Sequence, residues 1–139
     1  MSILMLDAGA LIALERDSRR VWALVEAAFD AGDRVQVPAC ALAQVWTGAP
    51  SQARLNQALK RCRTISLDEE MARLAGRLRP ISGVNDVADA SVAAAAAMAT
   101  NFSSVVIATS DEDDILQLID AAESLHPRLV HDEVRLHSI

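Results

Sequence analysis

The chain alternates between short unbroken apolar runs and longer stretches in which apolar residues recur every three or four positions. Ile3-Leu4-Met5-Leu6 is the first run, and it stops at a single aspartate, Asp7. An uninterrupted run of this length reads as a strand buried on both faces, since a strand with one wet face would alternate. Residues 10 to 16 then read as the first helical turns. A second helix fits residues 18 to 31, where Val21, Trp22, Leu24, Val25, Ala28 and Phe29 share helical spacing. Asp17 or Ser18 can cap its start, and Gly32 stands where a helix usually stops.

The pattern then repeats. Val35-Gln36-Val37-Pro38 is a second short strand ending in proline, and Ala39 to Trp46 is a helix closed by Gly48 and Pro50. Residues 51 to 61 form a basic amphipathic helix with Leu55, Ala58 and Leu59 inward. Thr64 to Leu67 is a third strand, and Asp68 caps a helix from Glu69 to about Leu78. Pro80 to Asn85 reads as a loop, after which Asp86 opens an alanine-rich helix through Met98. Ser104 to Ala108 is a buried strand, Asp113 to Ala122 a further helix, and Arg128-Leu129-Val130 a last strand. Strands alternating with helices predict an α/β domain with a mostly parallel central sheet flanked by helices. No linker or repeat divides the 139 residues, so the expectation is one domain over 1–139.

In a parallel sheet the binding crevice lies beyond the carboxyl ends of the strands, and the acidic residues fall there. Asp7 ends the first strand and Asp111 follows the strand at 104–108. Asp86 and Asp89 share the first turn of the helix before that strand, and Asp114 lies one turn after Asp111. Singly, Asp86 and Asp111 are also ordinary helix-start residues, favoured by capping and by the helix dipole. Together they form a cluster of like charges, which repel and raise one another's pKa. The usual compensation is a divalent cation with oxygen ligands, here Mg²⁺ or Mn²⁺, because no Cys or His joins the set. Such a site suits hydrolysis of a phosphodiester by an activated water. No Gly-x-Ser-x-Gly elbow, phosphate-binding Gly-Lys-Ser/Thr loop or Gly-x-Gly-x-x-Gly is present.

These motifs resemble a known family. Leu6-Asp7-Ala8-Gly9-Ala10-Leu11-Ile12-Ala13-Leu14 resembles the opening motif of PIN-domain nucleases of the VapC toxin type. Asp86-Val87-Ala88-Asp89-Ala90-Ser91-Val92-Ala93 resembles their third acidic motif, and Val106 to Asp114 their fourth. The resemblance implies a PIN-like domain and a metal-dependent endoribonuclease, the toxin of a type II toxin–antitoxin pair. It implies that Asp7, Asp89 and Asp111 are the catalytic, metal-binding aspartates, with Asp86 and Asp114 as accessory acids. It also implies a homodimer and a cognate antitoxin partner. One position departs: Gln44, in the helix after the second strand, stands where many members carry glutamate. An amide oxygen can ligate a cation or orient its water but brings no charge. The alternative is therefore a catalytically impaired PIN-like module that binds antitoxin or RNA without cleavage. A phosphoacceptor receiver needs a lysine after the last strands, and the only lysine is Lys60. A haloacid-dehalogenase-like phosphatase needs an aspartate where Gly9 stands.

Composition adds little. The net charge of −6 opposes a protein that coats nucleic acid through a general positive field, but a carboxylate site itself makes the count negative. RNA contacts would come from arginines near the crevice, from the Arg16, Arg19 and Arg20 group or from Arg54, Arg61 and Arg63. Gln52 and Arg54 lead because they follow the Gln44 helix. Cys40 and Cys62 read as buried free thiols, and His126, His131 and His137 lie too irregularly to ligate a metal. No apolar run reaches membrane-spanning length and no signal-peptide pattern opens the chain, so the expected location is the cytoplasm.

Overall fold

The structure is a computed structural model that describes residues 2–125 and 133–139. Five strands, β1 (Ile3–Leu6), β2 (Arg34–Pro38), β3 (Arg63–Ile65), β4 (Val105–Thr109) and β5 (Val134–Ser138), form one sheet in the order β3-β2-β1-β4-β5. Every neighbouring pair is parallel. From β1 the chain first steps one way to β2 and β3, then crosses back past β1 to β4 and β5. Right-handed crossovers place the helices of the first half on one face and those of the second half on the other. The first group is α1 (Ala8–Glu15), α2 (Arg19–Asp30), α3 (Ala39–Val45) and α4 (Ala53–Leu59), the last preceded by a 3₁₀ turn at Pro50–Gln52. The second is α5 (Glu69–Ser82), α6 (Val87–Ala99) and α7 (Glu112–Leu125).

The strands at the centre are short and apolar because both faces are covered. All four residues of β1 are buried, and so are Val35, Val37, Val105, Ile107 and Ala108. Leu11, Leu14, Val21 and Val25 from the first group and Leu78, Ile115 and Leu118 from the second are buried in one core. The alanine run is the densest part: Ala90, Ala93, Ala94, Ala95, Ala96 and Ala97 are all buried where α6 packs against α5, α7, α3 and the sheet. Small side chains let α6 approach its neighbours closely on every side.

Two predicted elements differ from the structure. Helix α5 runs through Pro80 to Ser82, where a loop was expected. The proline removes one internal bond, but the stop comes only at Gly83, whose left-handed backbone (φ 79°) lets its N–H bond the Arg79 carbonyl at 2.9 Å. Strand β3 lies at Arg63–Ile65, paired to Gln36–Pro38, so it begins and ends earlier than the 64–67 expected. The strand expected at 128–130 lies outside the described residues, as do His126 and His131; the fifth strand described is Val134–Ser138. Cys40 and Cys62 are free but only partly buried, and burial pushes the Cys62 thiol up to about 11, which keeps it protonated and unreactive.

No helix among the described residues is long and apolar enough to cross a membrane. Because Ala94 is fully enclosed, Ala94→Leu should cost about 1–3 kcal/mol by overpacking. Thermal unfolding checks this, with Ala23→Leu on the exposed side of α2 as the control that leaves the melting temperature unchanged.

Candidate active site at the carboxyl end of the sheet

The point where strand order reverses lies between β1 and β4, which are neighbours in the sheet but far apart in the chain. A crevice opens there because the connections leaving the two strands diverge. Asp7 follows β1 directly, with its N–H bonded to the Ala108 carbonyl of β4 at 3.2 Å. Its side chain caps α1: Oδ1 accepts the Ala10 N–H at 2.8 Å. Oδ2 accepts the Ser110 N–H at 3.3 Å, and the Thr109 hydroxyl donates to the same carboxylate. The residue is 1% exposed. Burial raises the Asp7 pKa, the three hydrogen bonds oppose that rise, and Asp111 adds to it.

Asp89 is the other enclosed acid, 8% exposed on the first turn of α6. Asp86 caps that helix and accepts the Asp89 N–H at 2.8 Å. The Asp89 carboxyl is pushed up to about 7, first by burial and then by the charges of Asp86, Asp111, Asp7 and Asp114. Five carboxylates from three segments therefore act on one site. Asp86, Asp111 and Asp114 are exposed around its rim. The Asp111 N–H is held by the Thr109 Oγ1 at 2.9 Å. The three ion pairs among the described residues, Arg54–Asp17, Arg61–Glu26 and Arg73–Glu69, all lie elsewhere, so none of these five acids is ion-paired there.

Among the described residues, no three acidic, histidine or cysteine side chains stand close enough to enclose a metal ion as they are. The donor set is nonetheless all oxygen, charged and open on one side. That chemistry suits a hard cation such as Mg²⁺, which keeps several waters and takes few protein ligands. Gln44 is exposed on α3, which packs against α1 and α6, and its side chain makes no hydrogen bond among the described residues. It is free to turn, but nothing fixes it toward the acids.

Two neighbours of Asp7 escaped the sequence reading. Thr109, fully buried, bonds both Asp7 and the Asp111 N–H and so couples the two acids. Its signal was a hydroxyl two residues before an acid at a strand end. Gly9 is required by contact: a Cβ there would sit 2.0 Å from the Ser110 Oγ and 2.7 Å from its Cβ. Gln52, expected to reach RNA, is instead 2% exposed. Its carbonyl accepts from the Thr47 and Gly48 N–H groups at 2.8 and 3.0 Å, and its amide donates to Glu15 and to the Val45 carbonyl. The turn after α3 consumes the whole side chain. Arg54 is exposed but paired with Asp17 at 2.9 Å and stacked over Trp22. It lines a groove of about 540 Å³ between α2 and α4, together with Phe29 and Arg61. Arg16 and Arg20 share a hollow of about 420 Å³ with Gly9 and Ser110, and Arg79 donates to the Asn85 carbonyl, next to Asp86, at 3.0 Å.

Two predictions follow from this geometry. Between about pH 4 and 7 the folded protein keeps the Asp89 proton that the unfolded chain releases, so stability falls as pH rises through that window and levels off above it. Asp89→Asn removes the cost of ionisation and should raise metal-free stability at pH 8 by about 1–3 kcal/mol, but change little below pH 4. Denaturant titrations at the two pH values measure the difference. Gly9→Ala should destabilise by about 1–3 kcal/mol through the clash with Ser110, and adding Ser110→Gly should recover part of that loss.

No family model matches the sequence, and no curated protein matches it. The structure is similar to a chain of VapBC2 from Rickettsia felis bound to a DNA fragment from its promoter, at a TM-score of 0.65 and 15% identity, over 99% of this chain and 98% of that one. It is similar also to a chain of DNA-bound VapBC from Salmonella typhimurium, at 0.64 and 14%, with the same coverage. At these identities the likeness is one of fold. It agrees with the resemblance read from the acidic motifs: the chain is an α/β domain with the PIN-like fold found in VapBC complexes.

Proposed function

We propose that this protein is a metal-dependent endoribonuclease acting as the toxin of a toxin–antitoxin pair. The observation that carries this reading is the convergence of Asp7, Asp89 and Asp111 from three segments on the crevice between β1 and β4, with none of them in an ion pair among the described residues. In this reading those three hold Mg²⁺ or Mn²⁺, Asp86 and Asp114 bind its outer waters, and Gln44 contributes a neutral oxygen. The ion would offset charge on the RNA phosphate and acidify a water for attack on phosphorus.

The chain's own groups prepare that site. The Ala10 and Ser110 amides and the Thr109 hydroxyl fix the Asp7 carboxylate in one orientation, so little reorganisation is needed when charge arrives. Asp89 must give up its proton to become a ligand, and the cation must therefore compete with protons near neutral pH. Arg16, in the hollow beside Gly9 and Ser110, would meet RNA phosphates, with Arg20, which also donates to the Ser138 carbonyl at 3.0 Å, beside it. The antitoxin partner is proposed by likeness to the VapBC complexes. Exposed Trp46, Ile81, Val87 and Leu116 provide apolar surface for that partner or for a second copy in a homodimer.

The test is cleavage of a mixed RNA pool by purified, partner-free protein with and without Mg²⁺ or Mn²⁺. Cutting should require metal, and Asp7→Asn should reduce it about a hundredfold or more. Gln44→Glu should restore a charge and lower the Mg²⁺ concentration needed for half-maximal rate. Folded protein that cuts nothing with either ion would sink this reading.

A further inference from the structure

The carboxylates occupy one end of the sheet; the opposite end carries a second, chemically different pocket. A cavity of about 350 Å³ opens at the amino ends of the strands, under the start of α5 and the end of α6. Arg34, Gln36, Arg63, Met71, Met98 and Phe102 line it. Its size lies within the roughly 300–1,000 Å³ of small-molecule sites. Register explains the grouping. Gln36 pairs with Arg63 across β2 and β3, and Arg34 lies two residues before Gln36, so all three side chains leave the same face of the sheet.

Three features of this pocket are unexplained by folding. Gln36 is 7% exposed on an interior strand, yet its amide has no hydrogen-bond partner among the described residues. No fully enclosed side-chain nitrogen or oxygen in the described residues lacks a bond, so the residual exposure of Gln36 lies at its amide, facing the cavity. Arg34 and Arg63 are exposed and form no ion pair among the described residues, in a chain of net charge −6. Phe102, on the loop after α6, is 87% exposed at the rim. Charged groups on an edge strand discourage strand-to-strand association, which would account for Arg63 on β3. It does not account for Gln36, which is paired to β1 on one side and to Arg63 of β3 on the other; Arg34 pairs only with Ile3 of β1.

We propose that this pocket binds a nucleotide, either free or as one residue of an RNA strand, at a site separate from the carboxylate crevice. An exposed aromatic ring offers a stacking platform for a base. The Gln36 amide, open to the cavity, offers a donor and an acceptor to the base edge, and the Arg34 and Arg63 guanidinium groups meet the phosphate. The inference does not depend on the nuclease reading.

The full-length protein, kept in EDTA so that the acidic site holds no cation, is titrated calorimetrically with the four ribonucleoside 5′-monophosphates and with inorganic phosphate. A labelled 2′-O-methyl hexanucleotide is titrated in parallel by fluorescence anisotropy. At least one nucleotide probe should bind about tenfold or more tightly than phosphate. Phe102→Ala and the Arg34→Ala/Arg63→Ala double variant should each weaken it about fivefold or more, and Asp7→Asn should leave it unchanged. Binding of the monophosphates identifies a free nucleotide as ligand; binding of the hexanucleotide alone identifies an RNA exosite. No probe binding above phosphate, or binding insensitive to the Phe102 and arginine changes, would overturn the proposal. Phe102 is on the surface, so its variant folds and keeps the test decisive.

Discussion

The constraint on which the site depends is the enclosure of the Asp7 carboxylate. A charge that is 1% exposed has exchanged water for three donors, the Ala10 and Ser110 amides and the Thr109 hydroxyl. Those donors come from α1 and from the end of β4, so the carboxylate ties together two segments a hundred residues apart in the chain. The close approach this demands leaves no space for a side chain at position 9. It also fixes where the backbones of the remaining acids lie: the Asp111 N–H is held by Thr109 and the Asp89 N–H by Asp86. Asp89, enclosed on α6, keeps its repulsion from the other acids in the folded state, and that repulsion helps to raise its pKa.

The rest of the domain tolerates that cost because its core is dense. Helix α6 carries Asp89 at its first turn and six buried alanines beyond it, so the same helix that brings the charge inward also packs closely on its neighbours. Enclosing an acid on a helix end is less costly when the helix cannot shift. The division between stability and chemistry thus runs along α6 itself, acidic at the crevice and apolar behind it.

What could be read from the chain follows from what chain order determines. Strand ends, helix starts and the acids at them are local, so the placement of Asp7, Asp89 and Asp111 at the carboxyl end of the sheet was legible without knowing which strands are neighbours. Thr109 and Gly9 were not, because their roles depend on the β1–β4 register that sets Leu6 beside Ala108. Gln52 misled for the opposite reason. A polar residue in a basic amphipathic segment reads as surface, yet the turn after α3 leaves the Thr47 and Gly48 amides needing an acceptor, and Gln52 supplies it. Pro80 misled because a proline signals a helix stop, whereas the left-handed Gly83 provides it three residues later.

Net charge is a poor guide to this molecule because its charge is divided along the sheet axis. The carboxyl ends of the strands gather five acids that form no ion pair among the described residues, while the amino ends carry Arg34 and Arg63, likewise without an ion pair there. Parallel topology makes such a division possible, since every strand points the same way and each end is built from one kind of loop. An anionic ligand is repelled by the acidic end unless a cation intervenes, but it is attracted directly by the other. The overall −6 averages these two fields and describes neither. A phosphate-bearing ligand therefore meets a cation-dependent end and a cation-independent end, and chelation of divalent ions separates binding at the two.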